Sequence, residues 1–193
     1  MRGDQAVPNA TLQPIAGEST FTLYDQNLDV RNGNSLTIAS GVTVKGNPDT
    51  VRLILSDDAG TVITVQPGVL FEDITLQPLY GGTINVDGAT FQSSAGSRSR
   101  NYMSAGRTGI LNASNCTMVG LPNRSVSGIH VWIGATATIT NCDSTDLGYV
   151  LWMERDAVAT VTGGVWEGAN RFFDIRRNAD LTVSGVTMRD LDP

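Results

Sequence analysis

The chain contains one histidine, one lysine and two cysteines in 193 residues. Two cysteines are too few for a metal-site argument. Aromatic residues make up only 6% of the chain. No stretch shows sustained helical periodicity, which argues against an α-rich fold. No apolar run reaches the length needed to span a membrane, so membrane insertion is not expected. A secretion signal is missing too: Met1-Arg2-Gly3-Asp4 leads into a polar segment. That leaves a chain cytoplasmic as made, a virion component, or a piece of a longer exported protein, and the expected location is a virion or extracellular surface. Basic residues are outnumbered, with 13 Lys and Arg against 19 Asp and Glu and a net charge of -6. A nucleic-acid backbone is therefore not an expected partner. Arg2-Gly3-Asp4 reads as coincidence in an N-terminal tail, and the Asn-x-Ser/Thr acceptors at Asn9, Asn112, Asn115 and Asn123 read as idle.

What is abundant is glycine, at 21 residues, together with Val, Ile and Thr. That composition reads as all-β with many turns. One phrase recurs. Leu181-Thr182-Val183-Ser184-Gly185-Val186-Thr187-Met188 repeats Ala159-Thr160-Val161-Thr162-Gly163-Gly164-Val165-Trp166. Further copies start at Ala137, Leu111 and Ile84, and looser ones at Ile63 and Leu36. The steps between starts are 27, 21, 27, 26, 22 and 22 residues. Positions one and three are apolar and position two is usually polar, the pattern of a strand with one buried face. Position five is Gly88, Asn115, Asn141, Gly163 or Gly185 in the five closest copies. Gly and Asn tolerate a left-handed backbone, so a sharp bend is expected there. A second short strand then ends near Phe91, Met118, Trp166 and Met188. Such a repeat describes one coil of a solenoid.

The phrases LTVSGVTM, ATITNC, INVDGATF and LTIASGVTVKG, with their Asn/Gly bend column, resemble the right-handed parallel β-helix of the pectin-lyase-like superfamily. The resemblance spans about Leu23 to Asp190. It implies an all-β parallel β-helix of about seven coils, roughly 34 Å long from the inter-strand spacing. Residues 1–20 are expected to be an N-terminal arm or cap, and 21–193 the β-helix. The superfamily includes polysaccharide lyases and hydrolases, phage tailspikes and adhesins. Cys116 and Cys142 share position six and should stack in adjacent coils, where parallel side chains suit a reduced core stack better than a disulfide.

Aligning the last three coils gives a third strand before each phrase: residues 128–133, 150–155 and 172–177. Alternation predicts that Ile129, Leu151, Phe173, Val131, Met153 and Ile175 are buried. It predicts three outward columns: Gly128/Val150/Phe172, His130/Trp152/Asp174 and Trp132/Glu154/Arg176. Outward aromatics beside charges mark a face for binding. Its candidate residues are His130, Trp132, Trp152, Glu154, Phe172, Asp174 and Arg176. Three uses fit: stacking on sugar rings, packing against another subunit, or burial beneath a loop of the same chain.

A lyase of the resembled type would need an acidic calcium cluster with a basic residue, and a hydrolase two or three close aspartates. Glu154 and Arg176 would neutralise each other, and no paired-Asp motif is present, so no catalytic residue, metal or cofactor is assigned. Rows of Thr138/Thr140, Thr160/Thr162 and Thr182/Ser184 resemble the arrays of ice-binding solenoids, a minor alternative. The segment from Gln92 to Gly106, with Arg98, Arg100 and Arg107 in or beside it, could meet an acidic surface. No cap follows Met188, so either the chain is a truncated piece or another subunit covers that end. The expected function is a non-enzymatic structural or attachment protein. It would work as a homo-oligomer, a trimer for example, or with other virion subunits, as a decoration, tail-fibre or spike segment. The alternative is a fragment that binds or cleaves a surface polysaccharide.

Overall fold

The computed structural model describes residues 9–95, 101–121 and 126–191. Arg2-Gly3-Asp4, Pro8, Arg98, Arg100, Asn123-Arg124-Ser125 and Asp192-Pro193 lie outside the described residues. Among the described residues there are 23 strands and no helix. The strands form three parallel sheets of eight, eight and seven strands, wound as a β-solenoid of about seven coils.

The repeated phrase builds the first sheet. Its pairing joins Leu36 to Ile63, Ile63 to Ile84, Ile84 to Leu111, Leu111 to Ala137, Ala137 to Ala159 and Ala159 to Leu181. These are the first residues of the seven copies, so each irregular step in sequence is one coil in space. One rung precedes them. Ala10–Leu12, inside the segment assigned to an arm or cap, pairs in parallel with Ser35–Ile38. That segment therefore contributes a strand to the solenoid itself.

The bend column behaves as its residue types require. Gly88, Asn115, Asn141, Gly163 and Gly185 all have positive φ, between 51° and 67°. Their amides form a ladder along the axis: Asn115 donates to Thr140 O at 2.9 Å, Asn141 to Thr162 O at 2.7 Å and Gly163 to Ser184 O at 2.8 Å. The next strand enters the second sheet, where Phe71, Phe91, Met118, Ser144, Trp166 and Met188 form one column. Phe71 and Phe91 stack at 5.0 Å. The small Ser144 sits beside the fully buried Trp166, whose Nε1 donates to Cys142 O at 3.0 Å.

A second corner, from the third sheet back to the first, is also built alike in each coil. An amide donates to the carbonyl three residues earlier: Gly82 to Leu79, Gly109 to Gly106, Ala135 to Trp132, Ala157 to Glu154 and Ala179 to Arg176. The corner between second and third sheets is the variable one. It ranges from the single residue Asp73 to the stretch 93–100. Most of the variation in repeat length arises there.

Cys116 and Cys142 are free and buried. Their Sγ atoms donate to Ser114 O at 3.2 Å and Thr140 O at 3.6 Å. The adjacent Cys142 thiol, and then burial, push the Cys116 thiol up, while the same contact pushes Cys142 down; the two lie reduced in the core, as expected.

The bend and the aromatic column yield a prediction. Asn141→Gly should leave stability within about 1 kcal/mol, whereas Asn141→Val, β-branched at φ 51°, should cost about 1–3 kcal/mol. Phe91→Ala should cost about 3–5 kcal/mol. Urea unfolding reads all three, and equal losses for the Gly and Val variants would contradict the role given to the bend.

Candidate functional site

The outer side of the third sheet carries two columns along the axis. The first runs Asp29, Leu55, Gln77, Ser104, His130, Trp152, Asp174. The second lies just beyond the strand ends and runs Arg31, Asp57, Leu79, Gly106, Trp132, Glu154, Arg176, each amide donating to the carbonyl of the preceding coil. Six of the seven candidate residues lie in these columns, on consecutive coils.

His130 is at the centre. Its ring stacks on Trp152 with centroids 4.3 Å apart and planes at 10°, and lies 4.7 Å from Trp132. Ser104, one coil earlier, is small, and the indole of Trp132 leans back to donate from Nε1 to Ser104 Oγ at 2.8 Å. Trp152 is in turn capped by the Arg176 guanidinium, 4.7 Å above its ring, a cation–π contact. Arg176 also meets Glu154 Oε1 at 3.7 Å and Asp174 Oδ1 at 3.5 Å. Asp174 has a second cation in Arg171 at 3.9 Å.

Two expectations are corrected here. First, His130 was expected to face solvent, yet it is only 3% exposed. It does leave the core on the outer side, but the indoles of Trp132 and Trp152 close over it. Second, the column Gly128/Val150/Phe172 does not face outward. Val150 is fully buried, and a Cβ at Gly128 would lie 2.9 Å from Leu147 Cδ1 and 3.0 Å from Met118 Sδ. Strict alternation begins only after the chain has rounded the corner, so Val150 and Leu151 are buried in succession. Phe172 packs against the core and stands apart from the cluster. Ile129, Val131, Leu151 and Met153 are buried as predicted, whereas Phe173 is half-buried and Ile175 is 49% exposed. Those two belong to Arg171–Ile175, which among the described residues has a pairing strand on one side only.

The electrostatics follow from this packing. Burial, and then the nearby Arg176 charge, push the His130 pKa down to about 4. The imidazole is neutral at pH 7. Its Nε2 lies 3.7 Å from Glu154 Oε1, without a hydrogen-bond partner. With a neutral ring this approach is not an ion pair. The Nε1 of Trp152 is also buried without a partner. Arg176 lies against Glu154 and Asp174, and Arg171 approaches Asp174 from the other side. The two carboxylates and two guanidiniums balance within the cluster.

The same columns end in a second charged group. Arg31 bonds to Asp29, and its Nε lies 3.2 Å from Asp57. Burial, and then Asp29, push the Asp57 carboxyl up. Aligning three coils missed this group, and carrying the register back four more would have reached it. The outer side of the first sheet holds a shallow depression of about 300 Å³ lined by Thr64, Asn85, Asp87, Asn112, Ser114 and Thr138, among others. Asn112 Nδ2 donates to Asn85 Oδ1 at 2.9 Å within it. Among the described residues, no group of three or more His, Cys, Asp or Glu side chains is placed to hold a metal ion.

No family model, no curated protein and no solved structure matches this chain.

Trp152 contacts both His130 and Arg176, whereas Trp132 is 42% exposed. Trp152→Ala should therefore cost about 2–3 kcal/mol of stability and Trp132→Ala about 1 kcal/mol. Urea unfolding of the two variants tests the order, and a larger loss for Trp132→Ala would contradict the stacking assigned to Trp152.

Proposed function

We propose that this chain is a non-enzymatic structural or attachment rod that acts as an oligomer or with other subunits, in the manner of a virion spike or fibre segment. The observation that carries the reading is the mutual neutralisation of the third-sheet cluster. Glu154 and Asp174 both lie against Arg176, and His130 is buried and neutral. A general acid or base has to reach a substrate proton, and these groups are instead engaged along the solenoid axis. What the cluster leaves open is a contact edge: the indole of Trp132 and, beside it, Ile133, 45% exposed. An aromatic and a β-branched residue at the rim of a rigid sheet suit a subunit interface. The parallel coils and Asn/Gly bends resemble those of the pectin-lyase-like superfamily, and its attachment members support the same reading by analogy of fold.

A second reading rests on the same indole. A half-exposed Trp132 is a platform on which a sugar ring can stack, and a surface polysaccharide would then be the ligand.

Light scattering coupled to size exclusion separates the two. The attachment reading expects a defined oligomer for the wild-type chain and a lower mass for Trp132→Ala. A wild-type monomer at every concentration would sink its self-assembling form. The sugar reading expects unchanged mass and loss of glycan binding in Trp132→Ala.

A further inference from the structure

We infer that His130, Glu154 and Arg176 form an acid-operated latch: protonated His130 takes Glu154 from Arg176, and the coil that carries Arg176 loosens. This goes beyond the attachment role, and holds or fails independently of any partner.

The geometry gives Glu154 two competing partners. Its Oε1 lies 3.7 Å from Arg176 Nη1 and 3.7 Å from His130 Nε2. Only one of them is charged at neutral pH. The groups packed around His130 come from four coils. Ser104 lies on the preceding coil and Trp132 on its own coil, just past the strand end. Trp152, Tyr149 and Glu154 belong to the next coil. Asp174, Arg176 and Arg171 belong to the coil after that. Arg155 pairs with Asp156 at 3.3 Å and takes no part. A proton on the buried imidazole therefore finds one carboxylate in reach, two indole rings that favour a cation, and one guanidinium that repels it. A small approach of Glu154 would complete a charge-assisted hydrogen bond to Nε2. It would also take from Arg176 one of its two carboxylates. Arg176 ties its coil to the one before through Glu154 and through the face of Trp152.

The direction with pH follows. The closed arrangement holds the His130 pKa near 4, below its ordinary value of 6.5. Closure is fully favoured above pH 6.5 and loses ground as pH falls toward 4. Within that window the open, protonated arrangement gains about tenfold per pH unit relative to the closed one.

The test uses the full chain labelled with nitrogen-15, followed by NMR from neutral pH to about pH 3. It has three tryptophans, hence three indole N–H signals. Those of Trp132 and Trp152 should move together in one titration. Trp166, fully buried and bonded to the Cys142 carbonyl, should stay fixed. Backbone amides of Arg171–Ile175 should broaden over the same range. His130→Phe should abolish the titration. Arg176→Gln removes the like charge and should raise its midpoint by about half a pH unit, whereas Glu154→Gln removes the negative charge facing Nε2 and should lower it. These two side chains are partly exposed, so the pair remains informative if the His130 variant does not fold. The latch is overturned if Trp132 and Trp152 fail to titrate, if their titration persists in His130→Phe, or if the Arg and Glu variants move the midpoint in the same direction. It is equally overturned if the indoles titrate while the Arg171–Ile175 amides do not respond.

Discussion

Parallel, in-register stacking is the constraint on which the rest of this molecule depends. Each strand pairs with the equivalent strand of the neighbouring coil, about 4.8 Å away. Every sequence position thus becomes a column, and a side chain must be compatible with its own counterparts above and below. Inside, the requirement is met mostly by apolar residues whose volumes compensate from coil to coil. Leu36, Ile63, Ile84 and Leu111 give way to Ala137 and Ala159 in one column. Where one member is large its neighbour is small, as Trp166 is beside Ser144. Outside, like charges in succession would repel. Where two charges are adjacent in the second column they are opposite, with Asp57 beside Arg31 and Glu154 beside Arg176.

The corners translate that constraint into sequence. Two of the three recur with little change, because each must return the chain to the same register. One needs a left-handed residue and takes Gly or Asn. The other closes by a hydrogen bond over three residues. The third corner lies where the second sheet hands over to the third, and it absorbs insertions at little cost to the pairing on either side. The residue count per coil can therefore range from 21 to 27 without disturbing any column. A fixed period would be a poor guide to this fold. The phrase and its bend are the better one.

This division explains what was legible. Alternation over four residues and a residue able to adopt positive φ are local properties, so the first sheet, the second sheet and their bend could be read directly, register included. The third-sheet columns were legible only as far as alternation holds. Val150 broke the reading because the chain is still turning there. His130 broke it for another reason. Its strand position does face outward, but two indoles from Trp132 and Trp152 reach across to cover it, and which way a long side chain leans depends on a cavity that sequence does not display. The small Ser104, one coil away and 26 residues earlier in the chain, provides that cavity and the acceptor for Trp132. The Asp29, Arg31 and Asp57 group was hidden by the range of the alignment, not by any physical obscurity.

The third-sheet face also shows how a solenoid limits what its own side chains can do. A charge on one coil always has an axial neighbour within reach of a long side chain, so an unpaired charge is held free only if that neighbour is small or neutral. Beside Glu154 and Asp174 the neighbour is Arg176, which is neither. Arg176 reaches back over the indole to Glu154 while keeping hold of Asp174. The carboxylates are thereby drawn into cohesion between coils, and chemistry on a bound molecule would first have to break those pairs. Trp132 differs: its indole leans back to bond Ser104 and still presents surface to solvent. Contact with another molecule can therefore start at Trp132 and Ile133 without disturbing the charges that bind one coil to the next.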